Sequence, residues 1–106
     1  MGLDDNQQRF IEKLYKEMYY PLSTYALNAL SNDSLAEEAV QDTFRIACAK
    51  VDDIKSSENP NGWLFNTLKY VIKNMIRSRA RLTNMIISSF DFDENIDVKD
   101  SDTSDI

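Results

Sequence analysis

The chain is predicted to be all-α, a bundle of three to four helices. Apolar residues recur at three- and four-residue steps along three long stretches, the spacing that lines one face of a helix. Only two glycines and two prolines occur in 106 residues, too few for the many turns of a β sandwich or barrel. Hydrophobic residues make up 42% of the sequence, enough for one compact core at this length.

The first helix is expected over residues 6–30, where Phe10, Leu14, Met18, Leu22, Tyr25, Ala29 and Leu30 follow the helical step. Pro21 lies inside it. A proline there removes a hydrogen bond and crowds the preceding turn, so a kink or break is expected near Tyr20. Ser31-Asn32-Asp33-Ser34 is a polar turn rich in N-cap residues. The second helix runs from it to about residue 51, on an apolar line of Leu35, Ala36, Ala39, Val40, Thr43, Phe44 and Ala47. Small residues predominate in that line, so another helix can approach closely. Residues 52–61 read as a loop, with Ser56-Ser57 and Asn59-Pro60. Asn59 as N-cap and Pro60 at the first helical position start a third helix over 59–81. Its Leu64, Leu68, Val71, Ile72 and Met75 fall within about 100° of arc. The expected core is Leu14, Met18, Val40, Phe44, Leu64, Leu68, Val71 and Met75. Residues 85–90 are a short apolar patch, read as a cap on the bundle or the stub of a missing segment.

Charge divides the chain into a domain, residues 1–90, and a tail, residues 91–106. The formal net charge is −6. Asp91, Asp93, Glu94, Asp97, Asp100, Asp102 and Asp105 stand against Lys99 alone, so the tail holds the whole excess. Acidic and without apolar periodicity, it is expected to be disordered or an interdomain linker. The body sums to zero but is internally polarised. On the third helix Lys69, Lys73, Arg77 and Arg81 follow at i, i+4, and no Asp or Glu lies between Glu58 and Asp91. Such a row gives up the Glu–Lys pairs that normally support a surface helix. Trp63, Phe65 and Tyr70 lie beside it. Cations for phosphates and flat rings for bases are what single-stranded nucleic acid requires. A solvated basic face on a core helix has the same composition, and the pattern alone leaves both readings open.

The inventory for catalysis is poor, and no enzyme activity, metal or cofactor is expected. There is no His, no Gly-rich phosphate loop and no Ser-His-Asp set. Cys48 is a reactive thiol or a small hydrophobe among alanines; with no base nearby, the second reading is preferred. Glu37, Glu38 and Asp42 could be paired carboxylates, but without His they read better as a solvated acidic face near a helix N-terminus. Asp52-Asp53 reads as a helix-ending loop. One Cys permits no internal disulfide and fits a reducing compartment. No apolar run approaches 18 residues and no signal peptide is present, so a cytoplasmic chain without membrane insertion is expected.

Two passages fit together as a known pattern. The stretch from Ala36 to Phe44, with Glu37, Glu38, Gln41 and Asp42, resembles the acidic, Gln-containing motif of region 2 in bacterial sigma factors of the sigma-70 family. Asn59-Pro60-Asn61-Gly62-Trp63-Leu64-Phe65, followed by the basic helix, resembles the Pro-x-x-Trp-Leu stretch of the same domain. Leu14-Tyr15, Tyr19-Tyr20-Pro21-Leu22 and Tyr25-Ala26-Leu27 look like the opening of the extracytoplasmic-function group. The similarity covers about residues 8–82. It implies a transcription initiation domain that binds the RNA polymerase core at the clamp helices of the largest subunit. It also implies capture of the promoter −10 element as the non-template single strand. By that resemblance Glu38, Gln41 and Asp42 hold the polymerase-docking positions. Residues 52–61 stand where the family holds its base-reading loop, and the basic row where it contacts DNA backbone. The DNA-binding set so implied is Lys55, Ser56, Asn59, Asn61, Trp63, Asn66, Lys69, Tyr70, Lys73, Arg77 and Arg81. An anti-sigma factor is a further partner by resemblance.

The chain departs from the pattern in places. Tyr70 stands where the family often has Asn, Asn74 where it often has Asp, and Cys48 where a Trp is common. The family's region 4, which reads the −35 element, has no counterpart in these 106 residues. The expectation is a domain cut from a longer protein and ending in its interdomain linker, in preference to a natural stand-alone fragment. The competing reading is a small helical protein–protein adaptor that docks an acidic partner through the basic face. Preference for single-stranded over duplex DNA separates the two.

Overall fold

The computed structural model describes residues 2–91, with the side chains of residues 2–86. Four helices follow in order: α1 (Asp5–Leu30), α2 (Asp33–Ala49), α3 (Val51–Lys55) and α4 (Pro60–Asp91). The described residues contain no strand, and the architecture is the all-α bundle that the periodicity predicts. The chain divides into two compact units, Met1–Ile72 and Lys73–Ile106.

The first unit holds the core. Ile11, Leu14, Met18, Leu22 and Ala26 of α1 are buried, as are Ala36, Ala39, Val40, Thr43, Phe44 and Ala47 of α2. Val51 and Ile54 of α3 and Leu64, Leu68, Val71 and Ile72 of α4 complete it. Leu22, Ile54, Leu64 and Leu68 are wholly removed from water. Each such side chain contributes about 1.5–3 kcal/mol by transfer alone. Thr43 is buried on the same seam, and its hydroxyl donates to the Ala39 carbonyl at 2.9 Å, so no polar group is stranded there. Alanines on α2 leave room for α1 to approach. The rings fill what remains: Tyr15 meets Phe44 edge to face with centroids 4.9 Å apart.

Caps fix the ends. Asp4 accepts from the Gln7 backbone N–H at 2.8 Å, while Gln7 Oε1 accepts from the Asp4 backbone N–H at 3.0 Å. This reciprocal box starts α1. The other end of Gln7 donates to Asp52 at 3.1 Å, tying α1 to α3. Ser31 closes α1 in the left-handed conformation, at φ 53°. Asn32 then caps α2 by accepting from the Leu35 N–H at 2.9 Å.

Four expectations are corrected. α1 runs unbroken through Pro21, so the break expected near Tyr20 does not occur. Pro21 is exposed and lies between the buried anchors Met18 and Leu22, so packing holds both flanks of the helix. Residues 52–61 are not all loop. α2 ends at Ala49, and the turn of α3 uses Val51 and Ile54, three residues apart, to reach the core. The last helix continues to Asp91, so the apolar patch from residue 85 begins on a helix. Met85 and Ile86 there are 66% and 49% exposed. Met75 belongs to the second unit and is half-buried, outside the core of the first. The tail, from residue 92 onward, lies outside the described residues.

Candidate functional site

One candidate surface is the face of α2 opposite its buried seam. Glu38, Gln41 and Asp42 are spaced i, i+3 and i+4, which puts them side by side. Glu38 is exposed and the other two are half-buried. Asp42 is ion-paired with Arg45, one turn on. Gln41 is held as well: its Nε2 donates to Glu37 Oε2 at 2.9 Å. Glu37 Oε1 accepts from the Tyr19 hydroxyl of α1 at 2.6 Å. The Tyr19 ring lies against Tyr15, with centroids 5.1 Å apart. The Tyr19 bond, then the Gln41 bond, stabilise the anion and hold the Glu37 carboxyl below its ordinary value. The same bond keeps the phenol protonated and raises Tyr19 above its own.

The second surface is the turn before α4 and the first exposed face of that helix. Asn59 caps α4: its Oδ1 accepts from the Gly62 N–H at 3.0 Å, and its own N–H donates to Ser57 Oγ at 3.0 Å. A Cβ on Gly62 would lie 2.4 Å from Asn59 Nδ2. The cap thus fits because position 62 has no side chain, and Asn59 keeps only Nδ2 for an outside acceptor. Ser56 Oγ donates to the carbonyls of Asp52 and Asp53 at 3.1 and 3.2 Å. Lys55 is exposed, with its ammonium 6.0 Å from the centre of the Phe10 ring.

Along α4, Asn61, Asn66, Lys69 and Tyr70 are exposed, and Tyr70 keeps 61% of its surface. Trp63 and Phe65 are half-buried. Phe65 turns its edge to Tyr25 of α1, with centroids 6.0 Å apart at 87°. The Lys69 ammonium sits 5.9 Å from that tyrosine ring. Of the three aromatics singled out in the sequence, Tyr70 offers the most open face. In the second unit Lys73, Arg77 and Arg81 are exposed at four-residue spacing on α4, with Arg79 between them. Among the described residues no group of His, Cys, Asp or Glu could hold a metal ion. No helix there is long and apolar enough to cross a membrane. Cys48 is half-buried.

Reasoning from sequence missed Tyr19, Glu37, Arg45 and Tyr25 as partners of the candidate residues. Tyr19 and Glu37 are 18 residues apart on different helices, and no local pattern pairs them. Gly62 carried a readable signal: a glycine three residues after the Asn of an Asn-Pro start, where an N-cap side chain arrives.

Residues 14–82 match the family profile described as Sigma-70 region 2. The match takes in α2, α3 and α4 as far as Leu82, and so every residue of both candidate surfaces. No curated protein and no solved structure matches the chain.

Proposed function

The chain belongs to the sigma-70 region 2 family, and from that premise we propose how its two surfaces serve promoter recognition and RNA polymerase binding. The α2 face of Glu38, Gln41 and Asp42 docks on the clamp helices of the largest polymerase subunit. An acidic, hydrogen-bonding face set against a basic coiled coil gives orientation and on-rate more than raw affinity. The turn before α4 and its exposed face take the non-template strand of the −10 element. Lys55, Lys69, Lys73, Arg77 and Arg81 meet phosphates. Tyr70 and Trp63 offer rings, and Ser56, Asn59, Asn61 and Asn66 offer hydrogen bonds to base edges. The domain works by binding, not by catalysis, in the cytoplasm. It is of the extracytoplasmic-function kind, with an anti-sigma factor as a further partner.

The observation that carries this reading is the profile match across residues 14–82, which encloses both surfaces. The test is binding of the full chain to polymerase core enzyme. Glu38→Arg with Asp42→Arg puts like charge against a basic partner, and a loss of tenfold or more in affinity is expected, on the order of 1.4 kcal/mol or above. The helical circular-dichroism spectrum should not change, because neither residue is in the core. Undiminished binding by the double variant would remove α2 as the docking surface.

A further inference from the structure

We infer that Tyr19, on α1, is a positioning residue for polymerase docking: through Glu37 it sets the Gln41 amide in the orientation that a partner meets. The inference rests on the docking reading above. Its geometry is a relay of two bonds. Tyr19 donates to one carboxylate oxygen of Glu37 at 2.6 Å, and Gln41 Nε2 donates to the other at 2.9 Å.

An ionised carboxylate only accepts, so the nitrogen end of the Gln41 amide must face it. The oxygen end is then left as the acceptor for a donor on the partner, such as an arginine or lysine of a basic coiled coil. Glu37 alone could hold Gln41 in several rotamers, because its carboxylate sits on a long, exposed stem. Tyr19 removes that freedom. Its ring is itself braced by Tyr15, whose ring packs against buried Phe44, so the relay is anchored in the core. Side chains set before binding do not lose rotamer freedom on binding, which is where a distant hydroxyl acts on affinity. Glu37 accordingly serves as the hinge of the relay, and Glu38 and Asp42 as the charges that meet the partner.

The test uses Tyr19→Phe, which deletes one oxygen and keeps the ring contact to Tyr15. Affinity of the full chain for polymerase core should fall about three- to tenfold, the cost of one or two side chains left mobile. The Glu37 carboxyl, followed by NMR titration, should rise toward its ordinary value. In a Gln41→Ala background, Tyr19→Phe should cause no further loss of affinity. A relay that only braces α1 against α2 would lower the melting temperature and leave affinity alone, and that result overturns the inference. So does an equal loss of affinity with and without Gln41. Asp42→Arg runs alongside as the control. If it weakens binding while Tyr19→Phe does not, the positioning role fails and the docking surface stands. If Asp42→Arg also leaves binding intact, the docking surface and the relay fall together. Glu37→Gln, which keeps the shape and removes the charge, should reproduce the Tyr19→Phe loss.

Discussion

Gly62 and Asn59 depend on each other, and the dependence has a measurable sign. Asn59→Ala removes the cap and should cost about 0.5–2 kcal/mol. Gly62→Ala in the native background gains helix propensity but drives a Cβ to 2.4 Å from the Asn59 amide. Loss of the cap then offsets the gain of roughly 0.5–1 kcal/mol, and the net effect should be neutral or destabilising. Once Asn59 is alanine the obstruction is gone, and Gly62→Ala should stabilise by that full amount. Urea unfolding of the four chains in the cycle reads the change of sign. Equal effects of Gly62→Ala in both backgrounds would show that the cap and the glycine are independent. At the same scale, the Tyr19–Glu37 bond makes stability depend on pH at both ends. Glu37 titrates below its ordinary 4.5, so its contribution is present above that pH and is lost as pH falls through the lowered value. Tyr19 titrates above its ordinary 10.0, so its contribution is present below that pH and is lost as pH rises through the raised value. The melting-temperature gap between the native chain and Tyr19→Phe should therefore be widest between these limits and close outside them. A gap that is flat across the whole range would mean the bond is not made in solution.

At the scale of elements, what periodicity could resolve was legible and what a single turn does was not. α1, α2 and the first half of α4 each repeat their apolar residues over several turns, and seven of the eight expected core residues are buried. α3 offers only Val51 and Ile54 across five residues, too few to tell a helical turn from a loop. Yet Ile54 is wholly buried. Ile54→Ala should cost about 2–5 kcal/mol, as much as Leu68→Ala in the middle of α4. A loss well under 1 kcal/mol at Ile54, against that expectation, would return residues 52–55 to the status of loop. Pro21 misled for a different reason. Local propensity favoured a break, and tertiary anchoring at Met18, Leu22 and Ala26 overrode it. Replacing Pro21 with Ala restores the missing donor on an exposed position. It should raise stability, up to about 3 kcal/mol, seen as a higher urea midpoint. The candidate surfaces were legible in part. Helical spacing groups Glu38 with Gln41 and Asp42. The rotation of α1 against α2, which brings Tyr19 to Glu37, is set by packing that no local sequence pattern encodes.

For the whole molecule the question is why a chain of net charge −6 should bind a polyanion. The excess is confined to residues 91–106, and the cations of α4 stand on a helix free of acids from Pro60 to Phe90. What acts on a strand within a Debye length of about 8–10 Å is the local row, not the total. The acidic face lies on another helix, α2, so one chain carries opposite charges for two partners. The central claim is that α4 and its preceding turn hold the non-template strand once polymerase has opened the duplex. Its most direct test is the salt dependence of holoenzyme binding to a pre-opened promoter, compared with a closed duplex of the same sequence. Each phosphate contact to a single strand adds a slope of roughly −0.7 in log K against log salt. The account predicts tighter binding to the opened template, and a slope flatter by about 1–1.5 when Lys73 and Arg77 are both alanine. Equal affinity for opened and closed templates, with the slope unmoved by the double substitution, would contradict it.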